Sequence, residues 1–346
     1  MSLINLLKKK NFITLFTTPS HNQKFFIFSK FRQLYKYDIS ETDTHNPQKA
    51  LKEAEEKASK IYKTKKTHFL TNGSTSGIIA AVLTCVEKND KVLIWKDAHI
   101  CHKNAVQLAG AEAIFYETDY DEDYGISKPI KTTYIENLIN EHKPKAIIVT
   151  SPTYEGIISD IKCLKEICEK TNTYLIVDEA HGALYPFSDK LPQSAVNIAD
   201  FTIQSLHKTA GGLNPTALLH NNTDLNSSKA LEMINTTSPS YPLLASIEKN
   251  INYLNSSKGR KKIEELIENI RNLKQNCPNI EFCNNNDITK IVIKLKNLTG
   301  YELSEKLYKK FRIEDEKTNE KSTMLLTGIG TEKQKLKKLE KALKNL

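Results

Sequence analysis

Two short runs in the middle of the chain place ionisable side chains directly after apolar segments. The run DEAHG (178–182) follows YLIV, and Lys208 lies just beyond FTIQS, thirty residues after Asp178. A carboxylate at the tip of a buried strand is costly unless it pairs with a cation or a metal. A lysine in such a place loses hydration, which lowers its pKa and frees a nucleophilic amine. Two functions suit DEAHG: the metal-holding box of a helicase, or a carboxylate beneath a protonated pyridine ring.

The loop TNGSTSG (71–77) decides between these two functions. A helicase requires a phosphate loop of the form GxxxxGK[ST], and the only candidate loop has no lysine. The helicase is therefore excluded. The small residues of this loop still allow backbone N–H groups to approach an anion, and the helix that follows adds the positive end of its dipole. The loop predicts a phosphate-binding site.

A fourth candidate run, DAHICHK (97–103), is dense in histidine and cysteine. Such density suggests a metal, but no second cluster with ligand spacing accompanies it. Cys163 and Cys168 are spaced for opposite sides of a helix and add nothing to it. We predict no metal site, and an imidazole that stacks on a flat cofactor ring is the favoured interpretation.

The elements that must position these runs follow from the hydrophobic pattern. A helix is predicted over 46–62, with Asn46 as its N-cap and an apolar face. Short apolar runs then alternate with helical patterns: THFLT, KVLIW, AEAIFY, AIIVT, YLIVDE, FTIQS and TALLH. This alternation predicts an α/β fold with a mostly parallel sheet covered on both faces. Ligands of such sheets bind beyond the carboxyl ends of the strands.

Charge and composition limit the possible partners. The chain has 346 residues, 39% of them hydrophobic, and a net charge of +9. Residues 258–346 carry 18 Lys and 3 Arg against 13 acidic residues, so almost all of the excess lies there. A basic tail raises nucleic acid as a partner, but solvated helix faces are the favoured interpretation. No nucleic-acid partner is predicted.

The compartment is predicted from what the sequence lacks. No run approaches the roughly 18 consecutive apolar residues of a membrane helix, and the N-terminus shows no signal-peptide cleavage site. Six cysteines in a chain of this length are no disulfide framework. We therefore expect a cytoplasmic protein with reduced thiols and no membrane partner.

A phosphate cradle, a carboxylate for a ring nitrogen and a lysine for an aldehyde together describe a site for pyridoxal 5′-phosphate. The motifs FLTNGSTSG, VTSPTYEG, VDEAHGA, LPQSA and ADFTIQSLHKT occur in that order. With them the chain resembles the Orn/Lys/Arg decarboxylase family, of the aspartate-aminotransferase fold type. The matching stretches run from about residue 17 to about 248, and GYELSEKL and LTGIGTEKQ extend the resemblance more loosely.

The resemblance implies a role for each matching residue. Lys208 would bind the cofactor aldehyde covalently, and Asp178 would pair with the pyridinium nitrogen. His102 would stack on one face of the ring and Ala180 would pack on the other, with His181 near the ring hydroxyl. The phosphate would be held by five side chains: Ser74, Thr75, Ser76, Ser205 and His207. Of these residues, Lys208, Asp178 and His102 would be catalytic.

The implied activity is decarboxylation of lysine, ornithine or arginine to the corresponding amine and CO₂. The resemblance also implies a homodimer or a higher homo-oligomer that acts on a small-molecule amino acid. Two alternatives stay open: a pyridoxal-phosphate-dependent aminotransferase, or a cofactor-binding protein with little catalysis. An aminotransferase would bind the substrate carboxylate with an arginine, and Arg312 is the candidate for that role. The acidic run 119–123 is a candidate for the distal charge of the substrate.

The domain prediction is an N-terminal segment over 1–45, a cofactor-binding large domain over 46–255 and a small α+β domain over 256–346. Three stretches depart from the family pattern: Thr18-Pro19-Ser20-His21-Asn22 stands where TPGHK is usual, Leu184-Tyr185 where His-Phe is usual, and Leu213-Asn214-Pro215 where LTQ is usual. The chain is also shorter than the family norm, so we expect a further C-terminal domain to be missing.

Overall fold

The computed structural model describes residues 2–10, 36–39 and 47–346. The predicted N-cap Asn46 and the TPSHN run lie outside the described residues. Helix α1 (Leu3–Lys10) packs in a buried cluster with the helices around the main sheet, and the Leu3 backbone N–H donates a 2.8 Å hydrogen bond to the Glu248 carboxylate. No helix among these ranges is long and apolar enough to cross a membrane.

Most of the chain up to residue 254 forms one seven-stranded sheet and its covering helices. The helices are α2 (Pro47–Tyr62), α3 (Gly73–Cys85), α4 (Cys101–Leu108), α5 (Thr132–His142), α6 (Ile161–Lys170), α7 (Leu206–Thr209), α8 (Ser227–Ile234) and α9 (Tyr241–Leu254). The strands are β1 (Lys66–Leu70), β2 (Lys91–Trp95), β3 (Glu112–Tyr116), a small hairpin of β4 (Tyr120–Asp121) and β5 (Ile126–Ser127), β6 (Ala146–Thr150), β7 (Tyr174–Asp178), β8 (Phe201–Ser205) and β9 (Ala217–Asn221). The sheet order is β1-β9-β8-β7-β6-β2-β3.

The strands form because their apolar side chains are buried on both faces of the sheet. Ile148 and Ile176 pack into the cluster on one face, while Ile147 and Val177 pack into the cluster on the other. Burial of such a side chain contributes about 1.5–3 kcal/mol. The predicted α/β class with a mostly parallel sheet is confirmed: β8, β7, β6, β2 and β3 are parallel to one another.

One strand departs from the parallel pattern, and it matters for the cavity described below. Strand β9 is antiparallel to both β1 and β8, so its first residue lies at the edge where the other strands end. Leu70, Asp178 and Ser205 end their strands at this edge, and Ala217 begins β9 there. The segment that precedes β9 therefore joins the loops that follow the other strands.

The rest of the chain forms a smaller antiparallel sheet with three helices. Its elements are α10 (Ser257–Asn276), β10 (Glu281–Phe282), β11 (Lys290–Lys294), α11 (Gly300–Phe311), β12 (Lys317–Thr318), β13 (Thr323–Leu326) and α12 (Lys333–Leu343), with sheet order β10-β11-β13-β12. Helix α11 begins with a capping box in which Thr299 and Glu302 satisfy each other's backbone N–H groups. The helices bury Leu266, Ile270 and Leu339 against Ile291 of the sheet.

Helix α10 contributes to two cores. Ile263 and Ile267 pack with the helices of the large sheet, whereas Leu266 and Ile270 pack into the core of the smaller sheet. Ser256 caps the helix by accepting a hydrogen bond from the Gly259 backbone N–H. The predicted boundary between 46–255 and 256–346 falls at the start of this helix, and the division into domains stays a prediction.

Candidate active site

A cavity of about 320 Å³ lies at the edge where the parallel strands of the large sheet end. It is lined by residues that follow β1, β2, β6, β7 and β8 and by two residues that precede β9. The predicted site residues in its lining are Ser74, Thr75, Asp178, Ala180, His181, His207 and Lys208. The structure therefore brings most of the predicted site together, although these residues are spread over more than 130 positions of the chain.

Lys208 lies in the short helix α7 directly after β8, at the centre of the site. Its Nζ is 2.9 Å from Nε2 of His181 and 5.2 Å from the centre of the Tyr154 ring. Burial lowers the pKa of Lys208 below its ordinary value, against the opposing effect of the Asp178 carboxylate. This shift increases the share of the unprotonated amine, which is the nucleophilic form.

Asp178 ends β7 and is almost completely buried. Its Oδ2 accepts a 2.9 Å hydrogen bond from Nε2 of His102, and its Oδ1 accepts one of 3.1 Å from the Ala180 backbone N–H. Burial alone would raise the pKa of Asp178, but the hydrogen bond and charge of His102, with the charge of Lys208, hold it below its ordinary value. The cavity therefore contains a fixed negative charge.

The two histidines of the DAHICHK run occupy different places. The His102 ring is buried against Asp178 and does not belong to the lining of the cavity, so its predicted stacking role has no support from this position. The imidazole that lines the cavity is His99, whose Nδ1 accepts a hydrogen bond from the Cys101 backbone N–H. Burial lowers the pKa of His99, which favours its neutral form.

One end of the cavity is formed by the start of helix α3. Ser74 and Thr75 line it, and the N-cap residue Asn72 makes no side-chain hydrogen bond to the helix. The N–H groups of the first turn have no partner within a helix, so such an end suits an anion. Gly73 has a φ of +75°, and its N–H donates to the carbonyl of Pro215 at 2.8 Å. A side chain at Gly73 would strain this turn.

Three further predicted phosphate ligands, His207, Ser76 and Ser205, differ in their hydrogen-bond partners. Nδ1 of His207 is 3.1 Å from the Thr216 carbonyl, which leaves its other nitrogen on the side of the cavity lining. The Ser76 hydroxyl donates to the Gly73 carbonyl at 2.8 Å and does not line the cavity. The Ser205 hydroxyl is buried and has no hydrogen-bond partner among the described residues.

Unpartnered buried polar atoms collect around the cavity. Within the described ranges, the Ser205 and Thr209 hydroxyls and Nδ1 of His181 have no partner. Each such atom costs about 1–3 kcal/mol unless something binds it. His181 lines the first cavity, as do Trp95 and Thr150, whose Nε1 and Oγ1 also have no partner among the described residues. A ligand bound there that carries several hydrogen-bonding oxygens would satisfy these atoms.

Sequence reasoning missed several residues that line this cavity. Tyr154 follows β6, and the centre of its ring lies 4.5 Å from that of the His181 ring. Nζ of Lys208 and Nζ of Lys317 lie 5.2 Å and 5.0 Å from the centre of the Tyr154 ring. Trp95, the last residue of β2, lines the same wall. The available signal was position: both residues stand at or just after the carboxyl end of a predicted strand.

Cys101, His102 and Asp178 offer ligand atoms that lie within 4.8 Å of one another, the geometry of a possible metal site. Burial raises the pKa of the Cys101 thiol to about 12. His102 and Asp178 are already hydrogen-bonded to each other at 2.9 Å. The arrangement therefore favours a carboxylate held by a histidine over a bound metal.

A second cavity of about 570 Å³ shares Lys208 with the first and extends toward the smaller sheet. Glu314, Asp315 and Glu316 line it, and the charge of Glu316 acts to raise the pKa of Lys208. Asp315 accepts hydrogen bonds from Ser304 and Thr318. Three carboxyl groups thus line the cavity beside the Lys208 amine, together with Lys335.

The acidic run 119–123 and the arginines lie elsewhere. Asp119 forms a 2.6 Å ion pair with Lys131, and no residue of the run lines either cavity. Arg312 ends helix α11 with a φ of +56° and is exposed. Arg260 donates to the Phe187 carbonyl. In the described part of the chain, no guanidinium lines either cavity, and Arg32 lies outside that part.

The fold and this site define a class: the chain has the architecture shared by pyridoxal-phosphate-dependent decarboxylases and aminotransferases. The lysine decarboxylase LdcF of Francisella novicida superposes with a TM-score of 0.85 at 20% identity, over 99% of this chain and 59% of that one. The ureidoglycine-glyoxylate aminotransferase of Bacillus subtilis superposes with a TM-score of 0.68 at 13% identity, over 89% and 86%.

The family model for the Orn/Lys/Arg decarboxylase major domain matches residues 16–319, and the chain belongs to that family. An arginine decarboxylase of Halalkalibacterium halodurans is 29% identical over 325 residues, which cover 88% of this chain and 66% of that protein. The chain thus spans just under two thirds of the length of this relative. The resemblance inferred from the motifs is confirmed at the level of the family.

Proposed function

We propose that this protein uses pyridoxal 5′-phosphate to decarboxylate a basic amino acid, lysine, ornithine or arginine, to the corresponding amine and CO₂. The observation that carries the proposal is the presence of the Lys208 amine and the Asp178 carboxylate in one cavity, with an anion-binding helix start at its end. Membership of the decarboxylase family supports the same reaction.

The residues present fit the cofactor, since the cavity joins an anion site, a fixed carboxylate and a lysine amine of lowered pKa. Ser74, Thr75 and His207 would bind the phosphate, and the unpartnered Ser205 hydroxyl would join them. Ala180 lines the cavity beside Asp178 and would pack against the ring. When bound, pyridoxal phosphate supplies an electron sink for the electron pair that CO₂ leaves behind.

Asp178 would keep a negative charge at the ring nitrogen. His102 holds Oδ2 of this carboxylate and so fixes its orientation, which makes His102 a positioning residue for Asp178. His99, whose ring lines the cavity, is the imidazole we propose for one face of the cofactor. The pairing of a buried carboxylate with a histidine also keeps the carboxylate ionised.

Lys208 would bind the cofactor, with His181 as its hydrogen-bond partner. Its Nζ and Nε2 of His181 are close enough, at 2.9 Å, for a proton to pass between them. Burial and the surrounding positive charges, Lys208 first among them, hold the pKa of His181 well below its ordinary value. The neutral His181 ring can then act as the hydrogen-bond partner that orients Nζ of Lys208.

The acidic cavity beside Lys208 supports a basic substrate. Glu314 and Glu316 line the cavity that also contains Lys208, so we propose them as partners of the distal ammonium or guanidinium of the substrate. Opposite charges attract even when partly solvated, and each exposed pair contributes about 1 kcal/mol or less to binding. These glutamates replace the run 119–123 as our candidates for the distal charge.

An aminotransferase is the second candidate function, because the fold is shared with that class. An aminotransferase holds the substrate carboxylate during the reaction, whereas a decarboxylase must release it. The described residues of both cavities include no guanidinium that could act as such a clamp. This observation favours decarboxylation.

The experiment is an incubation of the purified protein and pyridoxal phosphate with lysine, ornithine and arginine in turn. We expect cadaverine, putrescine or agmatine from at least one of them, together with CO₂. The variant Lys208→Ala should give no amine and lose the yellow absorbance of the covalently bound cofactor, while the exposed-lysine control Lys296→Ala should keep both. Keto acid in place of CO₂ would decide for the aminotransferase, and an unreactive cofactor complex for a protein with little catalysis.

We further propose that the protein is a cytoplasmic homodimer or a higher homo-oligomer and that residues 46–255 form its cofactor-binding domain. Size-exclusion chromatography with light scattering tests the oligomeric state. A monomer that carries full activity would contradict it. Limited proteolysis of the holoenzyme would test the boundary, because a linker between independent units is cut before either unit.

A further inference from the structure

One lysine of the smaller sheet is completely buried. Lys290, the first residue of β11, has 0% exposure, and its Nζ has three oxygen partners. It donates 2.6 Å and 3.0 Å hydrogen bonds to Asp287 Oδ2 and the Thr289 hydroxyl, and a 2.8 Å hydrogen bond to the backbone carbonyl of His181. The last of these contacts crosses from the smaller sheet to the loop that follows β7.

Asp287, the partner of Lys290, is equally buried and also makes a contact across to that loop. Its Oδ2 accepts a 2.7 Å hydrogen bond from the Tyr185 hydroxyl, while Oδ1 accepts from the Thr289 backbone and side chain. Burial would raise the pKa of Asp287, but the Lys290 charge and these hydrogen bonds hold it below its ordinary value. The charges of both partners are therefore compensated inside the protein.

The same segment also contacts the loop that contains Tyr154. The Asp287 backbone N–H donates to the Gly156 carbonyl at 3.1 Å, and the Asn285 side chain donates to the Glu155 carbonyl. Gly156 has a φ of +83°, and a Cβ at this position would lie 2.9 Å from the Asp287 Cβ. The two loops thus meet at Asn285 and Asp287.

His181 connects this cluster to the reactive amine. Its carbonyl oxygen accepts from Lys290, and its Nε2 lies 2.9 Å from Nζ of Lys208. A displacement of the His181 backbone would therefore move the imidazole away from the amine. A misplacement of about 1 Å can reduce a rate by about 100-fold.

We propose that Lys290, with Asp287 and Tyr185, is a positioning cluster that holds His181 in hydrogen-bond distance of Lys208. The proposal rests on the proposed function, and it gives Lys290 and Asp287, which lie at the smaller sheet, a role in the geometry of the site. Tyr185 is one of the positions at which the chain departs from the family pattern, so its hydroxyl contact to Asp287 is not expected from the resemblance.

A purely stabilising role explains the buried charges of this cluster less well than a positioning role. Replacement of a buried ion pair by apolar groups of similar volume is often neutral or stabilising, because desolvation offsets the attraction between the charges. Removal of one partner alone is destabilising by about 3–5 kcal/mol, since it leaves a buried charge. A test must therefore neutralise both partners together.

The double variant Asp287→Asn/Lys290→Met removes both charges and keeps both shapes. Circular dichroism and urea unfolding report whether it folds, and a pyridoxal phosphate titration of the cofactor-free protein reports affinity through the absorbance of the bound cofactor. We expect a folded protein with at least about tenfold weaker cofactor binding and an altered absorbance maximum. We expect kcat for the amino acid substrate to fall at least about tenfold, with KM within threefold.

Two further variants complete the experiment. Lys296→Met changes an exposed lysine just beyond β11 and should leave every readout as in the wild type. Tyr185→Phe removes one hydroxyl without leaving a buried charge, and about threefold weaker cofactor binding is expected. If the double variant fails to fold, Tyr185→Phe decides the question, and wild-type values in that variant would overturn the proposal.

The outcomes separate this proposal from the proposed function. A wild type that binds cofactor but yields no amine contradicts the decarboxylase activity, while the affinity and absorbance of the variants still test the cluster. A folded double variant with wild-type cofactor affinity, absorbance and kcat overturns the positioning role and leaves the decarboxylase activity intact. A wild type that binds no cofactor overturns both.

Discussion

Glu179 offers a prediction that needs neither cofactor nor substrate. It follows Asp178, has 1% exposure, and accepts hydrogen bonds from the Ser194 hydroxyl, the Ala195 backbone N–H and the Gln204 side chain. Burial raises the pKa of Glu179 from 4.5 to about 7, although the three donors act in the opposite direction. The perturbation we choose is Glu179→Gln, which removes the charge and keeps the shape.

The magnitude follows from linkage between protonation and folding. Between pH 4.5 and pH 7 the folded protein retains the Glu179 proton that the unfolded chain has lost, so stability falls as the pH rises through this window. Each unit of pKa difference corresponds to about 1.4 kcal/mol, which gives about 3 kcal/mol in total. The glutamine variant lacks this titration. Its free energy of unfolding relative to the wild type should therefore rise by about 3 kcal/mol between pH 4.5 and pH 8.

The assay is urea denaturation of wild type and variant at steps of half a pH unit, with the difference in unfolding free energy plotted against pH. The exposed glutamate variant Glu56→Gln serves as the matched control and should give a flat line. A flat line for Glu179→Gln as well would refute the reasoning, because it would mean that the buried carboxyl titrates at the same pH in the folded and unfolded chains.

Three further predictions concern the site and its support. His102→Phe should raise the pKa of Asp178 and weaken cofactor binding at least about tenfold, since the carboxylate loses its histidine donor. Titration of the cofactor-free protein with pyridoxal phosphate measures the affinity, and unchanged binding would argue against a positioning role for His102. Glu316→Gln should raise KM for the basic amino acid up to about fivefold with little change in kcat; an effect on kcat alone would contradict a role in binding the distal charge. Gly77→Ala should destabilise the protein by about 1–3 kcal/mol, because the added Cβ would lie 2.9 Å from Ile203; a thermal midpoint equal to that of the wild type would show that helix α3 can shift.

Much of the fold could be predicted because strands and helices leave local patterns. The runs KVLIW, AIIVT and FTIQS coincide with β2, β6 and β8. A continuous apolar run requires burial on both faces, and a sheet covered by helices on both faces provides that. The site loops were predictable for a related reason, since polar residues that interrupt such runs must lie at strand ends.

The second sheet was less accessible to this reasoning. Its strands β10, β12 and β13 are two to four residues long, too short for a periodic pattern to show. Lys290 illustrates the same limit for single residues. In the sequence it is one lysine among many in a basic region. The three oxygen atoms that compensate the burial of its charge come from Asp287, Thr289 and the distant His181.

The sequence by itself determined the class of the fold, the family and the residue types of the site, because these depend on local patterns and on motifs in a given order. Only the tertiary structure decided that His102 lies against Asp178 while His99 lines the cavity, and that Glu316 adjoins Lys208. These facts depend on which strands pair and on which side chains then share a space. Contacts between residues a hundred positions apart have no local periodicity, so they emerge only when the chain folds.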